Sequence, residues 1–254
     1  HGGVGRFAGL ATGFPRCSQR ELDTENSQCQ HRGVPASKAP YHHGDLRNAL
    51  VDAGLGLIEQ VGAEAFSLRE AAREVGVSAN AAYRHFADKG ALLTAIAVSG
   101  FERLSSKMQE AMLAARPKGA VKSRAVARFD AAARAYVNLA QEHPRLFGLM
   151  FGSAGRACLA AEGALVGPLP GALLGGVLDE LVEEKAISKE YREGAEVRVW
   201  SAVHGFASLA HSGPLADLSA KARAQALDEL LLFVIAGLRG RAHVEHAASE
   251  RHDR

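Results

Sequence analysis

Aromatic residues and cysteines are scarce in this chain of 254 residues, which contains 6% Phe, Trp and Tyr, a single Trp and three Cys. Cys17, Cys29 and Cys158 are odd in number and widely spaced, which favours free thiols over a disulfide framework or a metal site. No apolar run reaches the roughly 20 residues that cross a bilayer. The longest run, 230–238, is better explained as a buried helix. These shortages argue against a disulfide-rich secreted protein and against a membrane span.

An excess of charge of one sign is also lacking, because 30 Lys and Arg stand against 28 Asp and Glu, a formal net charge of +2. The chain is not a polycation, so any contact with nucleic acid must come from a local basic patch. Such a patch lies between Lys38 and Lys89. No nucleophile elbow, phosphate loop or metal-ligand spacing is evident. We therefore predict no enzymatic activity, no cofactor and no metal.

The chain is rich in Ala and Leu, with 47% hydrophobic residues, and their spacing favours helices over strands. Convincing strand alternation is missing, so the expected fold class is all-α. Residues 1–39 lack periodicity and are predicted to be a disordered arm. We expect a three-helix DNA-binding head over 40–93, a larger helical regulatory and dimerisation domain over 94–240, and a flexible tail over 241–254.

Apolar spacing and capping residues predict where the helices begin and end. The predicted helices cover 46–60, 68–75, 79–86, 88–115, 121–142, 145–150, an uncertain stretch ending at 184, 189–211 and 219–239.

The segment Ser67–Lys89 is the most informative part of the chain. Ser67 and Glu70 have the spacing of a capping box, and Gly76 can adopt the positive φ that ends a helix. Ser78 can cap a second helix. Two short helices joined by a Gly-containing turn are typical of a helix-turn-helix, whose second helix enters the DNA major groove.

The segment REAAREVGVSANAAYRHFADKGALL resembles the DNA-binding signature of the TetR family of bacterial transcriptional regulators. The resemblance extends over roughly residues 41–96. Farther along, EHPRLFGLMF and WSAVHGFASLA resemble the C-terminal domain of TetR regulators that is named for its Trp, His and Gly. Trp200, His204 and Gly205 are those residues here, and Gly205 predicts a close helix crossing.

Four residues at the start of the second helix are expected to meet the floor of the groove: Ser78, Ala79, Asn80 and Ala81. Asn80 can pair with adenine through two hydrogen bonds, and Ala79 or Ala81 can touch a thymine methyl group. Arg69 resembles a family position that reaches a base edge, and its guanidinium suits guanine.

Phosphate contacts are expected around these base readers. Tyr83, His85 and Lys89 resemble the phosphate clamps of the family. Ser67 and Ser78 can present hydroxyl and backbone N–H groups to phosphate, although both can also serve only as helix caps. Arg47 belongs to a basic lead-in to the head.

Other residues near the head have competing interpretations. Phe86 is expected in the core. Arg84 is interpreted either as a solvated charge or as a side chain that contacts a base. Lys38, His42 and His43 continue the lead-in, and the His pair is either a weak metal motif or a phosphate contact. Leu68 occupies a place where some relatives of the family carry a hydroxyl, so one phosphate contact is absent.

The last predicted helix is apolar nearly all round, which requires burial on every side. A dimer interface with the preceding helix, forming a four-helix bundle with a partner, explains this pattern. The predicted interface residues are Val199, Val203, Phe206, Leu227, Leu231, Val234 and Leu238.

The family resemblance implies a ligand cavity in the regulatory domain. The candidate lining residues, each of which also reads as ordinary core, are Phe129, Tyr136, Phe147, Met150, Phe151, Trp200 and His204. The long helix 88–115 would couple this cavity to the head.

The combined prediction is a cytoplasmic, homodimeric, ligand-responsive repressor. It would bind an inverted-repeat operator in double-stranded DNA and respond to an unknown small-molecule effector, with no membrane partner. The alternative is a nonspecific or architectural DNA-binding protein, which the weak net charge disfavours.

Overall fold

A computed structural model describes residues 43–117, 123–156 and 168–240. Its helices are α1 (His43–Ala65), α2 (Leu68–Val75), α3 (Ala79–Tyr83), α4 (Lys89–Ala114), α5 (Arg124–Glu142), α6 (Pro144–Phe151), α7 (Pro168–Glu183), α8 (Ala195–Ser212) and α9 (Ala220–Arg239), with a 3₁₀ turn at Lys189–Tyr191. Within these ranges there is no strand, and the predicted all-α class is confirmed. The predicted arm 1–39, the tail 241–254 and all three cysteines lie outside the described residues.

The two short helices of the head form as their capping residues predict. Ser67 Oγ accepts from Glu70 N at 3.2 Å and donates to the Glu70 carboxylate at 2.8 Å. Gly76 closes α2 at φ 78°, where a Cβ would be unfavourable, and Ser78 Oγ accepts from Ala81 N at 3.2 Å. This cap geometry fixes the turn between α2 and α3.

The second helix of the pair is shorter than the predicted 79–86. It ends at Tyr83, and the following backbone tightens: Arg84 N donates to Ala81 O at 3.3 Å and His85 N to Ala82 O at 3.0 Å. These three-residue bonds form a tight turn that directs Phe86 into the core, where its exposed fraction is 3%.

The first helix also differs from the sequence expectation at its end. It extends beyond residue 60, but Gly62 interrupts it at φ 80°, ψ 166°, and the helical path resumes only to Ala65. The sequence therefore correctly predicts a break in the helix at Gly62, but the helix ends only at Ala65.

The larger half of the fold is a bundle around α4 and α5. The helix α4 packs against α1, α5, α6 and α7, while α5 also packs against α8, and α9 lies on α8. Phe101, Leu104, Phe129 and Leu139 are among the buried side chains that join them. The single helix α4 contacts both α1 and the bundle, so it connects the head with the larger half.

Two boundaries in this half differ from the predictions. The helix expected over 189–211 is divided, because Gly194 adopts a left-handed φ of 68° between the 3₁₀ turn and α8. The helix α7 begins at Pro168, within a stretch expected to be loop; Pro fits the first helical turn, where no N–H bond is needed. None of the described helices is long and apolar enough to span a membrane.

Candidate DNA-reading head and internal cavity

The residues predicted to read bases lie on the solvent-facing side of the head. Arg69, Ser78 and Asn80 are exposed, and Ala79 and Ala81 are half-buried. Between them, Ala82 is fully buried against the core. Because α3 has only one turn and a buried inner side, its exposed side is the surface that can enter a groove.

The predicted phosphate contacts surround this surface, with Ser67 at the start of α2 and Lys89 at the start of α4. Tyr83 keeps 45% of its surface exposed, and His85 is half-buried. Arg84 is exposed at the end of α3, and Leu68 is buried in the head.

Two of the predicted contacts also have structural partners. Lys89 Nζ donates to Glu64 O at 2.7 Å, so it caps the carboxyl end of α1. The Arg47 guanidinium lies 5.1 Å from the centre of the Phe86 ring. Both side chains therefore make contacts within the head itself.

An aromatic cluster lies inside the larger half, formed by Tyr136, Phe147, Phe151, Trp200 and His204. Trp200 Nε1 donates to the Tyr136 hydroxyl at 3.3 Å, and the Tyr136 hydroxyl lies 2.8 Å from His204 Nδ1. The Tyr136 hydroxyl therefore pairs with a ring nitrogen of both other side chains. Phe147 stacks on His204 at 5.3 Å and 27°.

Burial keeps this cluster uncharged. Removal from water lowers the pKa of His204 and raises the pKa of Tyr136 above its ordinary value. At neutral pH the imidazole is therefore neutral and the phenol stays protonated. The cluster therefore holds three neutral polar groups, those of Trp200, Tyr136 and His204, among apolar side chains.

A cavity of about 40 Å³ adjoins the aromatic cluster. Its lining residues are Met108, Phe129, Ala132, Ala133, Tyr136, Pro170, Leu174, Val199, Trp200 and Val203. None of these described lining residues carries a charge. The cavity thus offers apolar contact and two polar atoms that already pair with each other.

The predicted ligand residues divide into two groups in the structure. Phe129, Tyr136 and Trp200 line the cavity. Phe147, Phe151 and His204 belong to the aromatic cluster, and Met150 is fully buried beside Gly100 of α4.

Several cavity residues were missed by the sequence analysis. Ala132 and Ala133 follow Phe129 at helical spacing and share its face of α5, so this signal was present. Val199 and Val203 were predicted for a dimer interface, yet they line the cavity within the chain. Pro170 and Leu174 come from a segment whose helical periodicity is weak.

The residues predicted to contact a partner are buried in the chain itself. The exposed fractions are 3% for Val199, 4% for Val203, 7% for Phe206, 5% for Leu227, 4% for Leu231, 8% for Val234 and 3% for Leu238. Such side chains have little exposed surface within one chain, and their role at a dimer interface stays a prediction. The large apolar residues of α8 and α9 that remain exposed are Val197, Leu209, Leu232 and Phe233.

Gly205 does not mark a close crossing within the chain. A Cβ built at this position meets no described atom within 4 Å, and the same holds for Gly237 of α9. Both glycines therefore lie on open surfaces of the last two helices.

The head and the bundle together define a class of protein: a helix-turn-helix DNA-binding module joined to a larger helical domain. Two family models match. Residues 50–96 match the model described as bacterial regulatory proteins of the tetR family, and residues 129–234 match the tetracyclin repressor-like C-terminal domain. No curated protein matches this chain significantly.

Solved structures agree with these models. A protein of unknown function from Rhodococcus sp. RHA1 is 31% identical, with 80% of this chain and 100% of that chain covered and a TM-score of 0.64. RolR in complex with its ligand resorcinol is 17% identical, covering 78% and 92%, with a TM-score of 0.55. MexZ, a repressor of Pseudomonas aeruginosa, is 16% identical, covering 78% and 96%, with a TM-score of 0.50.

The chain belongs to the TetR family and is a DNA-binding transcriptional regulator. Its domains are those of a non-enzymatic regulator. The assignment to the Trp-His-Gly type stays a prediction.

Proposed function

We propose that this regulator is a ligand-responsive repressor that binds an inverted-repeat operator as a homodimer in the bacterial cytoplasm. The observation that carries the proposal is the joint presence of an exposed reading helix and an uncharged cavity in one chain, connected through α4. The predicted division into a head over 40–93 and a sensor domain over 94–240 is part of the proposal.

Base reading is assigned to Asn80 and Arg69, and phosphate contacts to Tyr83, His85, Lys89, Ser67 and Ser78. Asn80 is exposed on α3, and the small residues beside it let the helix lie deep in the groove. Arg47 assists from α1. The double role of Lys89, which also caps α1, means that its replacement alters both DNA contact and head stability.

Replacing Asn80 by Ala is expected to relax base preference at one position of each half-site, at a cost of about 1–3 kcal/mol for the preferred base. Tyr83→Ala is expected to weaken binding to all sequences alike. Selection from a random duplex library, followed by affinity measurements on enriched and scrambled duplexes, separates the two effects. Equal loss on all sequences for Asn80→Ala would contradict its assigned role.

The same selection tests the proposal as a whole. A regulator of this kind enriches a half-site in inverted repeat, whereas an architectural binder shows a steep salt dependence with no sequence preference. Failure to enrich any half-site favours the architectural alternative.

The proposed dimer uses exposed side chains of α8 and α9 as well as the buried residues predicted for it. Phe233 is 74% exposed. Leu230 lies three residues before it and Gly237 four residues after it, so all three share one face of α9. On α8, Leu209 is 46% exposed. A partner that covers these faces would form a four-helix bundle and supply the second reading head.

The chemistry of the cavity indicates a neutral, largely apolar effector. A carboxylate or ammonium group would be buried there without a partner, which costs several kcal/mol. Typical ligand pockets occupy roughly 300–1,000 Å³, whereas this cavity has about 40 Å³. An effector must therefore separate the lining helices as it enters, and this movement provides a signal.

Trp200 is the only tryptophan of the chain and lines the cavity, so its fluorescence, excited at a wavelength that tyrosine does not absorb, reports occupancy of the cavity. We expect resorcinol, a neutral probe, to change this emission saturably, and benzoate, its charged counterpart of similar size, to have no such effect. Ala133→Phe fills the cavity and is expected to abolish the response to resorcinol. An equal response to benzoate, or one that persists in Ala133→Phe, would contradict the assignment.

A further inference from the structure

The head and the sensor half meet at a reciprocal contact between two helix ends. Arg145, in the first turn of α6, donates from Nη1 to Glu59 O at 2.8 Å and also contacts Gln60 O. In the other direction, the Glu59 carboxylate accepts from Leu146 N of α6 at 3.2 Å. We call Glu59 and Arg145 together the α1–α6 clamp.

Each of the two helix ends in this clamp receives its capping hydrogen bonds from the other helix. The carbonyls of Glu59 and Gln60 lie just before the break at Gly62, where the helical hydrogen-bond pattern is interrupted. At the start of α6, the N-cap residue His143 makes no side-chain capping bond. The Glu59 carboxylate takes over that cap, and His143 Nδ1 lies 3.6 Å from the same oxygen.

The opposite face of α6 belongs to the sensor half. Phe147 and Phe151 are members of the aromatic cluster, and Phe151 lies 4.6 Å from the His204 ring centre. Met150 packs closely against α4 at Gly100, where an added Cβ would lie 2.8 Å from the Met150 side chain. A rise of about 1.5 Å per residue places the cluster only about 9 Å from Arg145 along one rigid helix.

We propose that the α1–α6 clamp couples the cavity to the DNA-reading head, with Glu59 and Arg145 as positioning residues. Displacement of the aromatic cluster moves α6, and because the three bonds of the clamp join the same two helix ends, α1 is either carried along or released. This inference rests on the proposed ligand response and adds a route beside α4, the coupling helix expected from the sequence.

The first test uses Ala133→Phe as a built-in surrogate for a bound effector. Its phenyl ring exceeds the cavity, so it should displace the lining helices and lower affinity for one fixed duplex that carries the enriched half-sites. We expect a loss of about five- to 150-fold, the usual range of allosteric coupling. In the Glu59→Ala/Arg145→Ala double variant, which removes every bond of the clamp, the same wedge should change affinity less than twofold, and each single variant should reduce its effect in part.

Conservative and matched variants separate coupling from simple stabilisation. Glu59→Gln and Arg145→Lys keep one acceptor or donor and should retain part of the coupling. Arg116→Ala is the matched control. Arg116 also caps a helix end, because it donates to Leu113 O and Ala115 O at the carboxyl end of α4. This variant should leave the effect of the wedge unchanged.

A second measurement needs no wedge, since coupling between two binding events is reciprocal. Adding the duplex to the wild type should change Trp200 emission, and at saturating DNA the change should shrink in Arg145→Ala and vanish in the Glu59→Ala/Arg145→Ala double variant. An unchanged Trp200 response in Arg145→Ala would overturn the proposal.

The wedge outcomes separate this inference from the proposed function. If the wedge weakens DNA binding equally with and without the clamp, the clamp is not the route, while ligand response stands. If the wedge alters DNA binding in no background and Trp200 ignores DNA, the ligand response itself fails, and the clamp with it.

Discussion

Phe233→Glu is expected to convert the regulator into a folded monomer whose affinity for its operator falls about 10²–10⁴-fold. The loss arises because two linked heads bind neighbouring half-sites with a high effective concentration, and a monomer loses that advantage. Sedimentation and a titration of the enriched duplex measure the two effects on the same sample.

The structure gives Phe233 this role because its side chain is 74% exposed within one chain. A large aromatic group in that position contributes little to the fold of the protomer, so a charge there should leave the helical content unchanged. In a dimer, the same charge would be buried against a partner without compensation.

Two controls define the interface. Leu113→Glu introduces the same charge at a leucine that is 64% exposed near the end of α4, and it should change neither assembly nor affinity. Leu232 is 69% exposed, but it lines a cleft of about 1,340 Å³ between α9, α5 and the end of α4. If Leu232→Glu dissociates the dimer and Phe233→Glu does not, the interface uses the cleft face of α9.

Phe86→Ala is expected to lower the free energy of unfolding by about 3–5 kcal/mol and to abolish DNA binding at physiological temperature. The ring is 3% exposed and packs between the reading helices and α1, with the Arg47 guanidinium 5.1 Å from its centre. Its removal leaves a cavity under α3, so the reading surface loses its support.

Chemical denaturation and thermal unfolding measure this loss, with Arg47→Ala as the partner variant. Arg47→Ala removes the cation–π contact alone and should cost only about 0.5–1 kcal/mol. A Phe86→Ala protein that unfolds like the wild type would contradict the role of the ring in the core of the head.

The head could be predicted closely because its signals are local. Ser67, Gly76 and Ser78 act within one helical turn of themselves, and each forms the cap expected of it. The errors are local competition that periodicity does not register: Gly194 divides a segment whose apolar spacing suits one helix, and the turn after Tyr83 shortens α3. Apolar spacing shows that a segment suits a helix, whereas a single positive φ decides where the helix stops.

The larger half could be predicted as helices, but the position of its cavity could not. The spacing of Trp200 and His204 indicated that they share a helix face, yet Tyr136, which bonds both, is 64 residues from Trp200 and 68 from His204. Val199 and Val203 look like interface residues in the sequence, and only the packing of α5 and α7 against α8 makes them part of a cavity wall.

The sequence by itself determined the helical class, the two-helix reading motif and its caps, because these depend on residues within a few positions of one another. Tertiary structure alone decided which side of α9 is covered, where the cavity lies, and that Glu59 meets Arg145 from 86 residues away. An apolar residue needs burial against any apolar neighbour and a helix end needs any suitable donor or acceptor. Only the packed arrangement of the helices determines which partner is near enough to meet that need.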